Sequence, residues 1–285
     1  MSPVATYEPR VSPPEGGPYG ATDGPAKAQG PAKAGHYVLR CEDHHRLHVR
    51  RVRKQIERVE ALDVRALDAI AAVDGLTGTT LRCPSEAGSR VTTVAGSAHV
   101  FDTFAIGDHT PIELRRHVLA FFQGNRFLLK DLVSHVIGQV EAGSDVIDLY
   151  AGAGLFALSA AAIRCARVTA VEGDRFAASD LEANVRAAGG GLTAVHQPVE
   201  GFLASSRRPP AALIVDPPRT GMSHEAMDGV VRLRAGRIVY VSCDVATLAR
   251  DVRRLVDAGY AIERLDAFDL FPNTPHVEVV VVLTS

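Results

Sequence analysis

The chain has 285 residues, 46% of them hydrophobic and 22% charged, with a formal net charge of −2. That balance is ordinary for a soluble globular protein and leaves room for one large domain, or a core domain with a smaller companion. It excludes a global electrostatic attraction to polyanions, so any nucleic-acid contact must come from a local basic patch. No apolar run approaches the ~20 residues that span a bilayer, and the N-terminus lacks the basic-then-apolar pattern of a secretory signal. Membrane partners are therefore not expected. Four widely spaced cysteines (Cys41, Cys83, Cys165 and Cys243) form no disulfide framework, which points to a reducing, cytoplasmic setting.

Residues 1–35 are rich in Pro, Gly and Ala and cannot bury enough surface to offset their ordering entropy, so a disordered tail is expected. From His36 the pattern changes. His36 to Arg40 reads as a short strand and Arg46 to Arg53 as another. The piece from Arg40 to Arg58 carries Arg40, Arg46, Arg50, Arg51, Arg53, Lys54 and Arg58, a cationic surface suited to phosphates, or simply a solvated face. Cys41, His44, His45 and His48 lie close together, but a tetrahedral metal site usually draws a second ligand pair from further along. None follows nearby, and no metal is expected. Leu62 to Val73 has helical periodicity, and Thr79 to Phe101 reads as short strands between Gly-rich turns. These pieces make a small α+β domain over about 36–119.

The second half, 120–285, alternates strands and helices. Asp131 to Val140 has helical spacing, then Val146 to Tyr150 reads as a buried strand, Phe156 to Ile163 as a helix and Val168 to Glu172 as a strand. The helix Arg175 to Ala187 and the strand Leu192 to His196 follow. Next come the strand Ala212 to Asp216, the helix Met222 to Arg234, the strand Ile238 to Val241 and the helix Val245 to Ala258. Such alternation implies a parallel, doubly wound α/β sheet with right-handed crossovers. Two strands without a helix between them, Ala261 to Phe268 and Val277 to Leu283, should close it as an antiparallel hairpin at the sheet edge. That ending separates a Rossmann-like class I methyltransferase sheet from a plain dinucleotide-binding fold.

Four segments carry chemistry. Cys243 stands between a strand and a helix, at the sheet edge where open α/β sheets bind ligands. The helix amides and dipole there would favour a thiolate, and so a nucleophile; the competing reading is a small buried residue. Asp148-Leu149-Tyr150-Ala151-Gly152-Ala153-Gly154 is a strand end with a glycine-rich turn, where Gly152 lets backbone approach a ligand. Glu172, at the end of the next strand, can accept hydrogen bonds from ribose hydroxyls. Without the three-glycine fingerprint, S-adenosylmethionine is the more expected cofactor than NAD. Asp216-Pro217-Pro218-Arg219-Thr220-Gly221 is a stiff turn that aims Asp216 and Arg219 at the same crevice. Glu278, entering an apolar strand, would have a raised pKa if desolvated, as a general base needs, or would guard the edge against aggregation. Phe121-Phe122-Gln123-Gly124-Asn125-Arg126 by itself reads as packing at the start of a helix.

Over about Leu119 to Leu283 these blocks resemble, in order, the RNA uracil-carbon-5 methyltransferases, which make 5-methyluridine in tRNA and 23S rRNA. The most specific are Asp216-Pro217-Pro218-Arg219-x-Gly221, Ser242-Cys243-x-x-x-Thr247-Leu248-Ala249-Arg250-Asp251 and Phe271-Pro272-x-Thr274-x-His276-Val277-Glu278. The resemblance implies that Cys243 adds to carbon 6 of a uracil in rRNA or tRNA and that Glu278 removes the carbon 5 proton. It also implies that Gln123, Tyr150, Glu172 and Asp216 hold S-adenosylmethionine. Arg219 and Arg250 would support the substrate or the loops around it.

The chain departs from the family at Asp244-Val245, where Asn-Pro is usual, and at Leu155, where many members have Asn. The RNA-binding β-barrel with which family members commonly begin is expected to be missing, and Cys41 and Cys83 cannot supply the four-cysteine iron–sulfur pattern of one subset. Two other readings stay open: a methyltransferase for a small molecule or another nucleobase, and a noncatalytic RNA-binding protein on the same fold. Nothing in the sequence sets an oligomeric state.

Overall fold

Short runs of Val, Ile and Leu suit strands buried on both faces, and the helical spacing between them supplies the layers that bury them. A computed structural model describes residues 35–42, 46–50, 59–60, 76–85, 88–107, 109, 111–123, 125 and 127–285. The first strands are β1 (Gly35–Glu42), β2 (Arg46–Arg50), β3 (Val59–Glu60), β4 (Leu76–Ser85), β5 (Gly88–Gly96), β6 (His99–Phe104) and β7 (Ile112–His117). The remaining strands are β8 (Asp145–Leu149), β9 (Arg167–Glu172), β10 (Leu192–His196), β11 (Ala212–Val215), β12 (Arg237–Ser242), β13 (Ala261–Phe268) and β14 (Glu278–Thr284). The described helices are α1 (Leu129–Gly138), α2 (Leu155–Arg164), α3 (Arg175–Ala188), α4 (Val199–Ser205), α5 (His224–Leu233) and α6 (Val245–Asp257).

β1 to β5 form a five-stranded sheet in the order β3-β2-β1-β4-β5, with β1 and β4 parallel. The two strands read near His36 and Arg46 are thus present as β1 and β2. The expected helix over Leu62 to Val73, the expected tail over 1–35, and the side chains of the basic piece and of Cys41, His44, His45 and His48 lie outside what the structure describes. Among the described residues, no group of His, Cys, Asp or Glu could hold a metal ion. No described helix is long and apolar enough to cross a membrane.

β8 to β14 form a seven-stranded sheet in the order β10-β9-β8-β11-β12-β14-β13. Alternate side chains divide between two cores. Val146, Val168, Ile214, Val239 and Val280 pack with α1 and α2, whereas Leu149, Val171, Leu213, Tyr240 and Val281 pack with α5 and α6. The strand order reverses between β8 and β11. Their carboxyl ends therefore open the crevice where such sheets take ligands.

The terminal pair is the expected antiparallel hairpin at the sheet edge, and within it β14 inserts between β12 and β13. Burial explains this, because Val279 to Leu283 are covered on both faces whereas β13 is largely exposed and carries the bulge near Ile262. One detail differs from the sequence reading: the short helix α4, which buries only Val199 and Leu203, gave too little periodicity to be read.

Candidate active site

Cys243 sits half-buried in the turn between β12 and α6. Asp244 caps α6 by accepting from the Thr247 N–H at 2.9 Å and the Thr247 hydroxyl at 3.1 Å. These bonds hold the Asp244 carboxyl below its ordinary range, with His276 adding to the effect. Aspartate caps as well as asparagine does, and Val245 in the first turn is exposed, so the departure at Asp244-Val245 keeps the local geometry.

The expected ease of ionising Cys243 is not found. Burial pushes the thiol up, Glu278 and Asp216 push the same way, and the Arg219 guanidinium, hydrogen-bonded to the sulfur, pulls it back only in part. Burial, with the two acidic groups adding, outweighs the Arg219 guanidinium.

The turn after β11 is held from behind by α6. The Thr247 hydroxyl donates to the Arg219 carbonyl at 3.0 Å, and Arg250 donates to the carbonyls of Thr220 and Met222 at 3.1 and 3.2 Å. Asp251, 1% exposed, accepts from the Met222 N–H at 2.8 Å, the Tyr240 hydroxyl at 2.6 Å and Arg250 at 2.8 Å. Gly221 has φ +73°, and a Cβ there would stand 2.5 Å from Arg250 and 2.6 Å from Asp251. The spacing Thr-x-x-Arg-Asp thus puts three groups on the α6 face that grips this turn. Arg250 supports the loop, while Arg219 reaches the thiol.

Glu278, also 1% exposed, opens β14 and has one long hydrogen bond, from the Gln123 amide at 3.4 Å. Desolvation pushes its carboxyl up to about 7, against the pull of Gln123 and Arg219. Half-buried Asp216 is raised well above its ordinary value by desolvation and by the charges of Glu278 and Asp148. Gln123 therefore meets Glu278 directly, and its buried carbonyl oxygen has no partner. Asn125 packs the start of α1 as expected: its amide donates to the Leu270 carbonyl at 3.1 Å and its oxygen accepts from Phe127 N–H at 3.0 Å.

Across the crevice, the glycine-rich turn needs left-handed backbone at Tyr150, Gly152 and Gly154, with φ of 60°, 57° and 100°. Glu172 accepts from the Gly152 N–H at 2.8 Å and the Asp174 N–H at 2.7 Å, which ties β9 to the turn. A Cβ on Gly154 would meet Leu158 at 2.6 Å, whereas Gly152 faces open space. Tyr150 packs toward the α5 and α6 core, and burial raises its phenol. Leu155 is buried in the α1 and α2 core, so the usual asparagine has been traded for packing.

Sequence reasoning missed two residues here. Asn184 on α3 donates to the Ala153 carbonyl at 2.8 Å and exchanges bonds with the Arg115 backbone, joining the turn to β7. Asp148 is fully buried, and neither carboxylate oxygen has a well-formed hydrogen bond. Desolvation pushes it up to about 8, against the pull of the Ala157 backbone amide and with Glu172 adding. An aspartate inside a buried apolar strand was the available signal. The crevice thus offers carboxylate oxygens at Glu172, close backbone at Gly152 and carboxyl groups at Asp216 and Glu278, with Asp148 buried behind them. That set of acceptors fits a nucleoside with a cationic substituent.

Comparison with known proteins agrees with this geometry. Residues 209–285, which hold the Asp216 turn, Cys243 and Glu278, match the tRNA (uracil-5-)-methyltransferase family model. Over these residues the chain is similar to the RNA uracil-C5 methyltransferases. It is 43% identical over 151 residues to a 23S rRNA (uracil(1939)-C(5))-methyltransferase, RlmD, of Pseudomonas putida, covering 48% of this chain and 31% of that protein. Against an uncharacterized RNA methyltransferase of Thermotoga maritima the identity is 41% over 170 residues, covering 58% of this chain and 38% of that one. The chain thus spans well under half the length of these relatives. Among solved structures it resembles a Pyrococcus abyssi tRNA (uracil-54, C5)-methyltransferase in complex with S-adenosyl-L-homocysteine, with TM-score 0.61 and 27% identity. That match covers 73% of this chain and 51% of the other. The chain has the class I methyltransferase fold, as its strand and helix alternation and terminal hairpin anticipated.

Proposed function

We propose that this chain methylates carbon 5 of a uridine in RNA with S-adenosylmethionine as methyl donor. One observation carries the reading: Cys243, Arg219, Asp216 and Glu278, from three separate segments, act on one another electrostatically in a single crevice. When bound, S-adenosylmethionine supplies an electrophilic methyl group. Glu172 would hold the ribose hydroxyls, Gly152 and Tyr150 would line the backbone approach, and Asp216 and Gln123 would face the charged end.

Carbon 5 of uracil is a poor nucleophile. Cys243, as thiolate beside Arg219, would add to carbon 6 and form a C–S bond. Carbon 5 would become an enolate nucleophile able to take the methyl group as the bond to the donor's sulfonium sulfur breaks and leaves a thioether. Glu278 would then take the carbon 5 proton, and collapse of the enolate would break the C–S bond and return the thiolate. A carboxyl with a pKa of about 7 is suited to that step. The base would have to leave its stack to reach Cys243. Residues 36–119 would form a small domain contacting RNA beside the catalytic domain, 120–285, and rRNA is the first substrate to test given the similarity to the 23S rRNA enzyme.

Incubation with unmodified total RNA and methyl-labelled S-adenosylmethionine, beside Cys243→Ala, tests the reading by mass spectrometry of the digested nucleosides. Label in 5-methyluridine that disappears in the variant is the expected result. Label in another nucleoside would overturn the uracil assignment. Absence of label despite cofactor binding would point to a small-molecule substrate or a noncatalytic role.

A further inference from the structure

Phe127 has no structural employment. Its ring is 92% exposed, although burying an aromatic side chain normally stabilises a fold. The backbone beneath it is nevertheless fixed. Asn125 accepts from the Phe127 N–H at 3.0 Å and the Leu128 N–H at 3.4 Å, and its amide anchors this turn to the Leu270 carbonyl. Leu270 lies in the segment that runs from β13 to Glu278. Gln123, which touches Glu278, is four residues back along the chain. Four residues of chain span at most about 14 Å, so the Phe127 backbone lies no farther than that from Gln123.

The surroundings favour one kind of occupant. Lys130 is exposed on the first turn of α1, and Phe121, six residues before Phe127, is 74% exposed as well. Separate exposed rings beside a lysine, with half-buried Phe122 and buried Gln123 between them in sequence, are a poor docking patch for a protein, which wants contiguous apolar area. They suit a single nucleic-acid strand, whose bases stack on aromatic faces while its phosphates meet cations.

We propose that Phe127 is a stacking platform for an RNA base beside the uridine presented to Cys243. The inference rests on the RNA reading given above. Turning a uridine out of its stack leaves a neighbouring base with an uncovered face. An aromatic ring with only two side-chain torsions, on a backbone already held by Asn125, replaces that stacking at modest entropic cost.

The test uses the full chain and a short uridine-containing RNA with 2-aminopurine beside the uridine, read by fluorescence. Wild type is expected to quench the 2-aminopurine. Phe127→Ala should weaken binding about tenfold and raise the KM for RNA more than it lowers kcat, with S-adenosylmethionine affinity unchanged. Phe127→Tyr should retain binding, and Phe127→Leu should behave as Phe127→Ala. Equal affinity of wild type and Phe127→Ala, or full retention by Phe127→Leu, would overturn the stacking role alone. Failure of wild type to bind any RNA would overturn both this role and the RNA reading beneath it.

Discussion

Asp251 and Glu278 are equally buried, each 1% exposed, yet they sit in opposite surroundings. Asp251, behind the Asp216 turn, collects a backbone N–H, a phenol and a guanidinium. Glu278, inside the crevice, receives one amide at 3.4 Å. Burial alone therefore does not make a carboxylate reactive. The supply of donors decides whether it serves as a fixed anchor or as a base held near neutrality.

Glu278→Gln breaks the contrast most sharply. Methyl transfer should fall on the order of 10³-fold, measured as label incorporated into RNA. Stability should move the other way. The folded-state pKa of Glu278 is raised to about 7, so its protonated form is favoured by folding. The stability it contributes is full below its unfolded pKa and is lost as pH rises through about 7. At pH 8 the Gln variant should thus melt higher than wild type, by about 3 kcal/mol at most, with the advantage vanishing near pH 4. In the wild type, activity should rise as pH passes 7 and continue upward, because the Cys243 thiol is itself pushed up.

Asp251→Ala attacks the saturated side. It leaves the Tyr240 hydroxyl and the Met222 N–H buried without their acceptor, and about 3 kcal/mol should be lost in denaturant unfolding at every pH from 6 to 8. A strongly pH-dependent loss would show that Asp251 is not the fixed anchor described here. Asp148→Asn tests the intermediate case, a buried acid with almost no donors. Raised to about 8, wild-type Asp148 withdraws stability as pH climbs toward and through that value, so the variant's stability should vary less between pH 5 and 8, by about 4 kcal/mol at most. The smallest effect belongs to Thr247→Val, which removes the hydroxyl bond to the Arg219 carbonyl. About 1 kcal/mol should be lost, with a larger proportional loss in kcat if that bond positions Arg219 against the thiol.

The parallel sheet, its helices and the residues Cys243, Glu278, Glu172 and Asp216 were legible from sequence, because strand and helix periodicities differ and strand ends in such a sheet face one crevice. Less of the support was legible. Asn184, Asp251 and Thr247 act through hydrogen bonds to backbone distant in sequence, and no local pattern shows which carbonyl a side chain will meet. The segment Phe121 to Arg126 shows the same limit, since Asn125 packs the start of α1 while Gln123, two residues earlier, reaches Glu278.

The ionisation of the site belongs wholly to tertiary structure. Cys243 follows a strand and precedes a helix, and those facts alone argue for an easily formed thiolate. Folding brings Glu278 and Asp216 to it from other strands and removes water, and the sum raises the thiol instead. That Cys243, Glu172 and Asp216 stand at strand ends facing one crevice is a matter of local pattern and strand polarity, and the sequence by itself determined it. How readily each gains or loses a proton depends on charges and solvent arriving from elsewhere in the chain, and only the assembled fold decides that.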